Sequence, residues 1–192
     1  MVINAHARTA TDRVVIPIGR SLVRIGASPN MLTTFGVAGT FAGAGIVVAD
    51  HALAGGLVLA VATATDALDG TVARLQGRVT RWGSFYDSVA DRVSDVVLFG
   101  AALWLVQDDP LLFLVALTAL AGALLTSYIR AKAESLGWQA TVGLLERPER
   151  VIILILGLGL ELLPFALWLL ALGGAVTVGQ RLRVVFHQAA AE

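Results

Sequence analysis

With 192 residues, 57% of them hydrophobic and 15% charged, the chain falls well short of the roughly 25% charge typical of a water-soluble domain. It has no cysteine, which excludes disulfides, thiolate metal sites and cysteine nucleophiles. Its formal net charge is zero, and its size suits a single domain spanning residues 1–192.

Residues 1–13 are polar, and the apolar run after them is broken by Pro17, so no cleavable signal peptide is read there. Residues 10–26 predict a helix with Val14, Ile18, Leu22 and Ile25 on one face and Arg13, Arg20 and Arg24 nearer the other. That is the pattern of a helix lying in a membrane interface. Ser28-Pro29-Asn30 then breaks the chain. Six apolar stretches follow, at 31–49, 52–74, 84–106, 111–132, 148–163 and 165–184, the fifth of them short. A bilayer core needs about 20 mostly apolar residues per helix. The expected fold is an all-α membrane protein: a bundle of six transmembrane helices over 31–184 and an N-terminal amphipathic interfacial helix. Gly39 and Gly43 form a small-xxx-small pair, expected to serve packing inside the bundle rather than contact between subunits.

The 14 basic residues are distributed unevenly. They fall in the N-terminal segment, around the connection between spans 2 and 3, around that between spans 4 and 5, and at the C-terminus. The alternate connections, near Asp50–His51, Gln107–Pro110 and Glu161–Pro164, have none. The positive-inside rule therefore puts both termini and the 75–83 loop in the cytoplasm, in a multi-pass protein of the cell membrane.

Beside that loop sit four carboxylates, Asp66, Asp69, Asp87 and Asp91. An Asp at the centre of a membrane helix costs about 2.5–3.5 kcal/mol on insertion scales, so such a group requires a compensating partner. Asp66 and Asp69 are three apart and Asp87 and Asp91 four apart, so each pair shares one helix face. Facing each other, the pairs suit one or two divalent ions, which bind oxygen ligands and share them with phosphate. Gly70 and Ala73 leave room for a ligand near the backbone, Gly83 does the same on the next helix, and Arg74 offers a fork to phosphate. The plainer reading makes the acids ion-pair partners of Arg74, Arg81 and Arg92, but four acids in two matched pairs exceed what that needs. Asp95, one turn beyond Asp91, reads equally as a structural partner and as a cavity-lining group. His6, His51 and His187 are dispersed and form no metal-ligand spacing.

The pattern D-x2-D-G-x2-A-R-x8-G-x3-D-x3-D, here Asp66, Asp69, Gly70, Ala73, Arg74, Gly83, Asp87 and Asp91, resembles the signature of the CDP-alcohol phosphotransferases. The resemblance covers nearly the whole chain. It implies transfer of a phosphatidyl group from a CDP-linked lipid to an alcohol, with release of CMP. The four aspartates match the metal-binding acids, for two Mg²⁺ ions or for Mn²⁺, and Asp91 also matches the proposed general base. Asn30, Thr33, Gly70, Ala73, Arg74, Thr80 and Gly83 match positions that hold the nucleotide of the CDP-lipid. From the residues alone, Asn30 and Thr33 read as a helix start.

Residues 127–134 (SYIRAKAE) and 145–150 (LERPER) are similar to the actinobacterial branch that uses inositol phosphate. That branch implies an acceptor-phosphate pocket at Arg130, Arg150 and Arg181. Arg130 departs from it, since Lys is usual there, and Lys132 shows the reverse exchange. The expected partners are CDP-diacylglycerol, inositol phosphate, membrane lipids and, from the resemblance, a second copy in a homodimer; nucleic acid is not expected. Glycerol 3-phosphate as acceptor is the nearest alternative. A cation transporter is the remote one, because its acids would spread across membrane depth instead of clustering at one end.

Overall fold

The computed structural model describes residues 15–77 and 79–191. Among these, all regular structure is helical: α1 over residues 15–24, α2 Pro29–Val48, α3 Ala52–Leu75, α4 Arg81–Leu105, α5 Pro110–Ser135, α6 Arg147–Gly159 and α7 Leu163–Ala189. Residues 10–14 of the expected N-terminal helix, with Arg13 and Val14, lie outside the described residues.

Local chemistry sets the helix starts. Ser28 caps α2 by accepting from the Met31 N–H at 3.3 Å, with Pro29 in the first turn. The cap is thus Ser28, which leaves Asn30 and Thr33 free for other work. Thr80 caps α4 through Gly83, and Asp109 caps α5 by accepting from the Leu111 and Leu112 N–H groups, both at 3.0 Å.

Helices α2, α3, α5 and α7 are long and apolar enough to cross a membrane. Twenty residues, the length of α2, rise about 30 Å, the thickness of the hydrocarbon core. Helix α4 has the length, with 25 residues, but carries Arg81, Asp87, Asp91, Arg92 and Asp95. Helix α6 has only 13 residues, about 20 Å, and ends at Gly159 rather than at 163. Glu161 takes a positive φ of 59°, and the chain re-enters a helix at Leu163.

Helices α2 and α3 pack closely through the expected glycine pair. A Cβ on Gly39 would come within 2.9 Å of Ala62 Cβ, and one on Gly43 within 2.8 Å of Leu59 Cγ. The apolar core joins Leu59, Leu98, Leu154, Leu167 and Leu170 with a row of small residues, Ala102, Ala116, Ala119 and Ala123. Phe35, Leu57, Val61, Leu114, Leu117 and Leu169 point outward and are exposed. Such an apolar exterior suits lipid, where close packing of small residues rather than water exclusion holds helices together. On α3, α4, α6 and α7 the apolar core fills one end and the charged groups gather toward the other.

Between α5 and α6, residues 136–146 form an irregular segment folded back on α7. Gln188 Nε2 donates to the Gln139 carbonyl at 2.7 Å, and Gln188 Oε1 accepts from the Gln139 N–H at 2.9 Å. The Leu145 N–H donates to Thr177 Oγ1 at 3.1 Å, and Arg181 Nε donates to the Val142 carbonyl at 2.8 Å. Side chains thereby satisfy backbone groups that irregular structure leaves without a helical partner.

Candidate active site

The acids of α3 and α4 come together across a short connection. Asp87 lies within electrostatic reach of Asp66 and Asp69, and Asp66 within reach of Asp91. The four nonetheless face two sides. Asp69 and Asp87 line a cavity of about 520 Å³. Asn30, Thr33, Gly70, Ala73, Arg74, Thr80 and Gly83 line the same cavity, so all seven positions matched to the CDP-lipid meet in one place. Thr33 Oγ1 donates to Asp69 Oδ2 at 2.5 Å, tying the start of α2 to the acidic face of α3. Arg74 Nη2 donates to Thr71 Oγ1 at 3.0 Å, which fixes the guanidinium along the cavity wall. Thr80 has a structural duty as well, since its Oγ1 accepts from the Gly83 N–H at 2.9 Å.

Asp66 and Asp91 instead meet Arg147, the first residue of α6. Its Nη2 lies 3.3 Å from Asp66 Oδ2, its Nη1 2.8 Å from Asp91 Oδ1, and its Nε 3.5 Å from Asp95 Oδ1. Asp91 also pairs with Arg92 Nη2 at 3.3 Å. Asp95 is buried, with Arg92 Nε and Arg150 Nη2 each 3.8 Å from its Oδ2. It is therefore the hub of three arginines and not a wall of the nucleotide-sized cavity.

The arginines matched to the acceptor converge around one residue of α5. Arg150 Nη1 donates to Thr126 Oγ1 at 3.0 Å, and Arg181 Nη1 to the Thr126 carbonyl at 2.5 Å. Both side chains are buried. Arg130, one turn beyond Thr126, is exposed and pairs with Glu134 at 2.8 Å, yet lies within electrostatic reach of Arg181. Arg150 Nε and Nη2 have no hydrogen-bond partner, so donor capacity is left on the buried side.

The acidic donor set is all oxygen, which suits a hard divalent cation. Among the described residues no three carboxylates or imidazoles are drawn close enough to cage an ion by themselves. Gly36 of α2 shows how tightly Asp66 is seated. A Cβ there would collide with Asp66 Oδ1 and come within 2.8 Å of Thr65 Oγ1. Gly36→Ala is expected to push Asp66 off its position and to cost about 1–3 kcal/mol of stability, the usual penalty of overpacking. The denaturation midpoint in detergent measures it, and an unchanged midpoint would mean that the Asp66 side chain gives way freely.

Arg147 and Thr126 escaped sequence reading; of the two roles read for Asp95, the contacts are those of the structural partner and not of the cavity wall. One signal was present: Arg147 and Arg150 both fall in the first turn of α6, where a positive charge opposes the helix dipole. Such a pair calls for anionic partners, and α4 supplies them.

The sequence pattern of the CDP-alcohol phosphatidyltransferase family matches residues 27–179. A phosphatidylinositol phosphate synthase of Mycobacterium marinum is 38% identical over 193 residues, covering 94% of this chain and 82% of that protein. The crystal structure of the Mycobacterium tuberculosis phosphatidylinositol phosphate synthase with CDP-DAG bound superposes with a TM-score of 0.83 at 35% identity, covering 91% of this chain and 94% of that one. The same enzyme in complex with manganese and citrate gives 0.82 at 34% identity, covering 90% and 88%. With its motif intact and its seven matched positions gathered on one cavity, the chain belongs to the CDP-alcohol phosphatidyltransferase family.

Proposed function

We propose that this protein transfers the phosphatidyl group of CDP-diacylglycerol to a hydroxyl of inositol phosphate, forming phosphatidylinositol phosphate and releasing CMP. The observation that carries the reading is the single cavity that joins Asp69, Asp87 and Arg74 to the start of α2. Relatives at this level of identity are phosphatidylinositol phosphate synthases, and a solved neighbour holds CDP-DAG.

The cytidine diphosphate sits among Asn30, Thr33, Gly70, Ala73, Thr80 and Gly83, where small residues let the ligand approach the backbone. Arg74 orients the diphosphate with its planar fork. Asp66, Asp69, Asp87 and Asp91 would hold the divalent ions, two Mg²⁺ or Mn²⁺, whose charge offsets that of the diphosphate. A neighbour solved with manganese supports a divalent cation. Asp91 accepts the proton of the acceptor hydroxyl. The hydroxyl oxygen then bonds to the phosphorus nearest the lipid, and the bond from that phosphorus to the CMP oxygen breaks with its electron pair. Arg130, Arg150 and Arg181 draw the acceptor phosphate to the adjoining side. The protein contributes position and charge complementarity more than covalent chemistry.

In this reading all of α2 to α7 span the cell membrane as a single domain, with 31–184 as the six-helix bundle. Helix α6 is completed in depth by the segment that precedes it. Helix α1 lies in the cytoplasmic interface: Ile18 and Ile25 are exposed, where headgroups and acyl chains would take them, while Gly19 packs against Thr71 and Leu75. Both termini and the active site face the cytoplasm, and the protein works as a homodimer.

Purified protein reconstituted in lipid, given CDP-diacylglycerol and Mg²⁺, is expected to release CMP with inositol 3-phosphate and not with glycerol 3-phosphate. Turnover with glycerol 3-phosphate alone would keep the metal chemistry and overturn the acceptor.

A further inference from the structure

Arg147 touches two of the four motif acids and stands among charges that repel one another. Asp66, Asp87 and Asp91 lie within electrostatic reach of one another, and like charges so placed repel unless offset by a cation among them. Arg147 supplies it, bridging Asp66 Oδ2 at 3.3 Å and Asp91 Oδ1 at 2.8 Å. A carboxylate oxygen engaged by a guanidinium has that lone pair withheld from an ion. We propose that Arg147 is a built-in counter-cation of the acidic site, exchanged for divalent metal: it holds Asp66 and Asp91 when no ion is bound and is displaced when one binds. This rests on the reading of Asp66 and Asp91 as metal ligands.

Three features suit Arg147 to exchange rather than to permanent pairing. Its side chain keeps 21% of its surface exposed, against 4% for Arg150, so it has a route out. It is the first residue of α6, directly after the irregular segment 136–146, and so lacks a preceding helical turn to confine it. It also has an anchor outside the motif, Asp95 Oδ1 at 3.5 Å, which keeps it nearby after Asp66 and Asp91 are given up. Its position at the N-terminus of α6 opposes the helix dipole, so helix stability does not account for an arginine there. Arg92 also touches Asp91, at 3.3 Å, but reaches only one of the two shared acids.

The test is Mn²⁺ affinity and thermal stability of the purified full-length protein in phospholipid-free detergent, with activity not required. Arg147→Gln is expected to bind Mn²⁺ about tenfold more tightly than wild type, the equivalent of one charge-assisted contact no longer broken on binding. It is also expected to unfold at lower temperature without metal and to show a larger rise in midpoint on adding Mn²⁺. Arg147→Lys, which keeps the charge and loses the fork, falls between the two. Arg92→Gln gives a smaller gain; a gain equal to that of Arg147→Gln would reduce the effect to the general field and overturn exchange. Unchanged or weaker Mn²⁺ binding in Arg147→Gln also overturns it, and if that variant does not fold, the same outcome in Arg147→Lys decides. Asp69→Asn separates the two readings. If it weakens Mn²⁺ binding while Arg147→Gln leaves it unchanged, exchange alone fails; if wild type binds no Mn²⁺, the metal reading falls and exchange with it.

Discussion

Asp91→Asn is expected to lower CMP release by about 10²- to 10⁴-fold, the range over which a positioned general base acts. Asn keeps the shape of the side chain and removes its ability to take a proton. Asp91 lies, with Asp66, outside the lining of the cavity that Asp69 and Asp87 share, and of those two only Asp91 also meets Arg92. Its neighbours are Arg147 at 2.8 Å and Arg92 at 3.3 Å, on the side toward the arginines matched to the acceptor. Affinity for CDP-diacylglycerol is therefore expected to change far less than turnover. Asp87→Asn is the contrasting variant. It alters a wall of the donor cavity, so the half-saturating donor concentration should rise as well as the rate fall. Steady-state CMP release at varied donor concentration measures both. A turnover near wild type in Asp91→Asn would remove the base assignment and leave Asp91 at most a metal ligand.

Much of this site could be read from residue spacing because helices translate spacing into faces. Asp66 with Asp69, and Asp87 with Asp91, needed only the helical period and a short loop to be set near each other; what the spacing did not show is that Asp69 and Asp87 line the cavity while Asp66 and Asp91 turn to Arg147. The Gly39–Gly43 pair was legible for the same reason, and packs against Ala62 and Leu59 inside the bundle. The reach of Arg147 was not legible. It depends on how far residues 136–146 fold back along α7, through bonds such as Arg181 to the Val142 carbonyl, and irregular backbone has no period to read. Thr126 escaped for a related cause. A lone threonine in an apolar helix has no pattern of its own, and its importance appears only when Arg150 and Arg181 arrive from two other helices. The end of α6 at Gly159 also departs from an apolar run that continues to 163, because the turn at Glu161 interrupts the helix while hydrophobicity persists.

Asp95→Ala is expected to destabilise the protein by about 3–5 kcal/mol, the cost of leaving a buried ion-pair network without one partner. Asp95 is 2% exposed and has Arg147, Arg150 and Arg92 within 3.5–3.8 Å of its carboxylate. These distances give charge compensation without short hydrogen bonds, and Asp95 Oδ2 has no hydrogen-bond partner. The stabilisation is therefore chiefly the cancelling of charge, and Asp95→Asn, which preserves shape, is expected to lose most of it too. Removing the acid leaves three guanidinium groups from α4 and α6 facing one another at the end of the bundle where the active site lies. The sign of the partner mutation follows. Arg150→Gln is harmful alone, since it strips Thr126 of a donor and Asp95 of a compensating charge, but in the Asp95→Asn background it removes a repelling charge. The double variant should then be more stable than the sum of the two single losses predicts, by an interaction energy of about 0.5–3 kcal/mol. Denaturation midpoints of the four proteins in one detergent measure the cycle. Strict additivity would mean that Asp95 and Arg150 do not sense each other, and would dissolve the network into separate contacts.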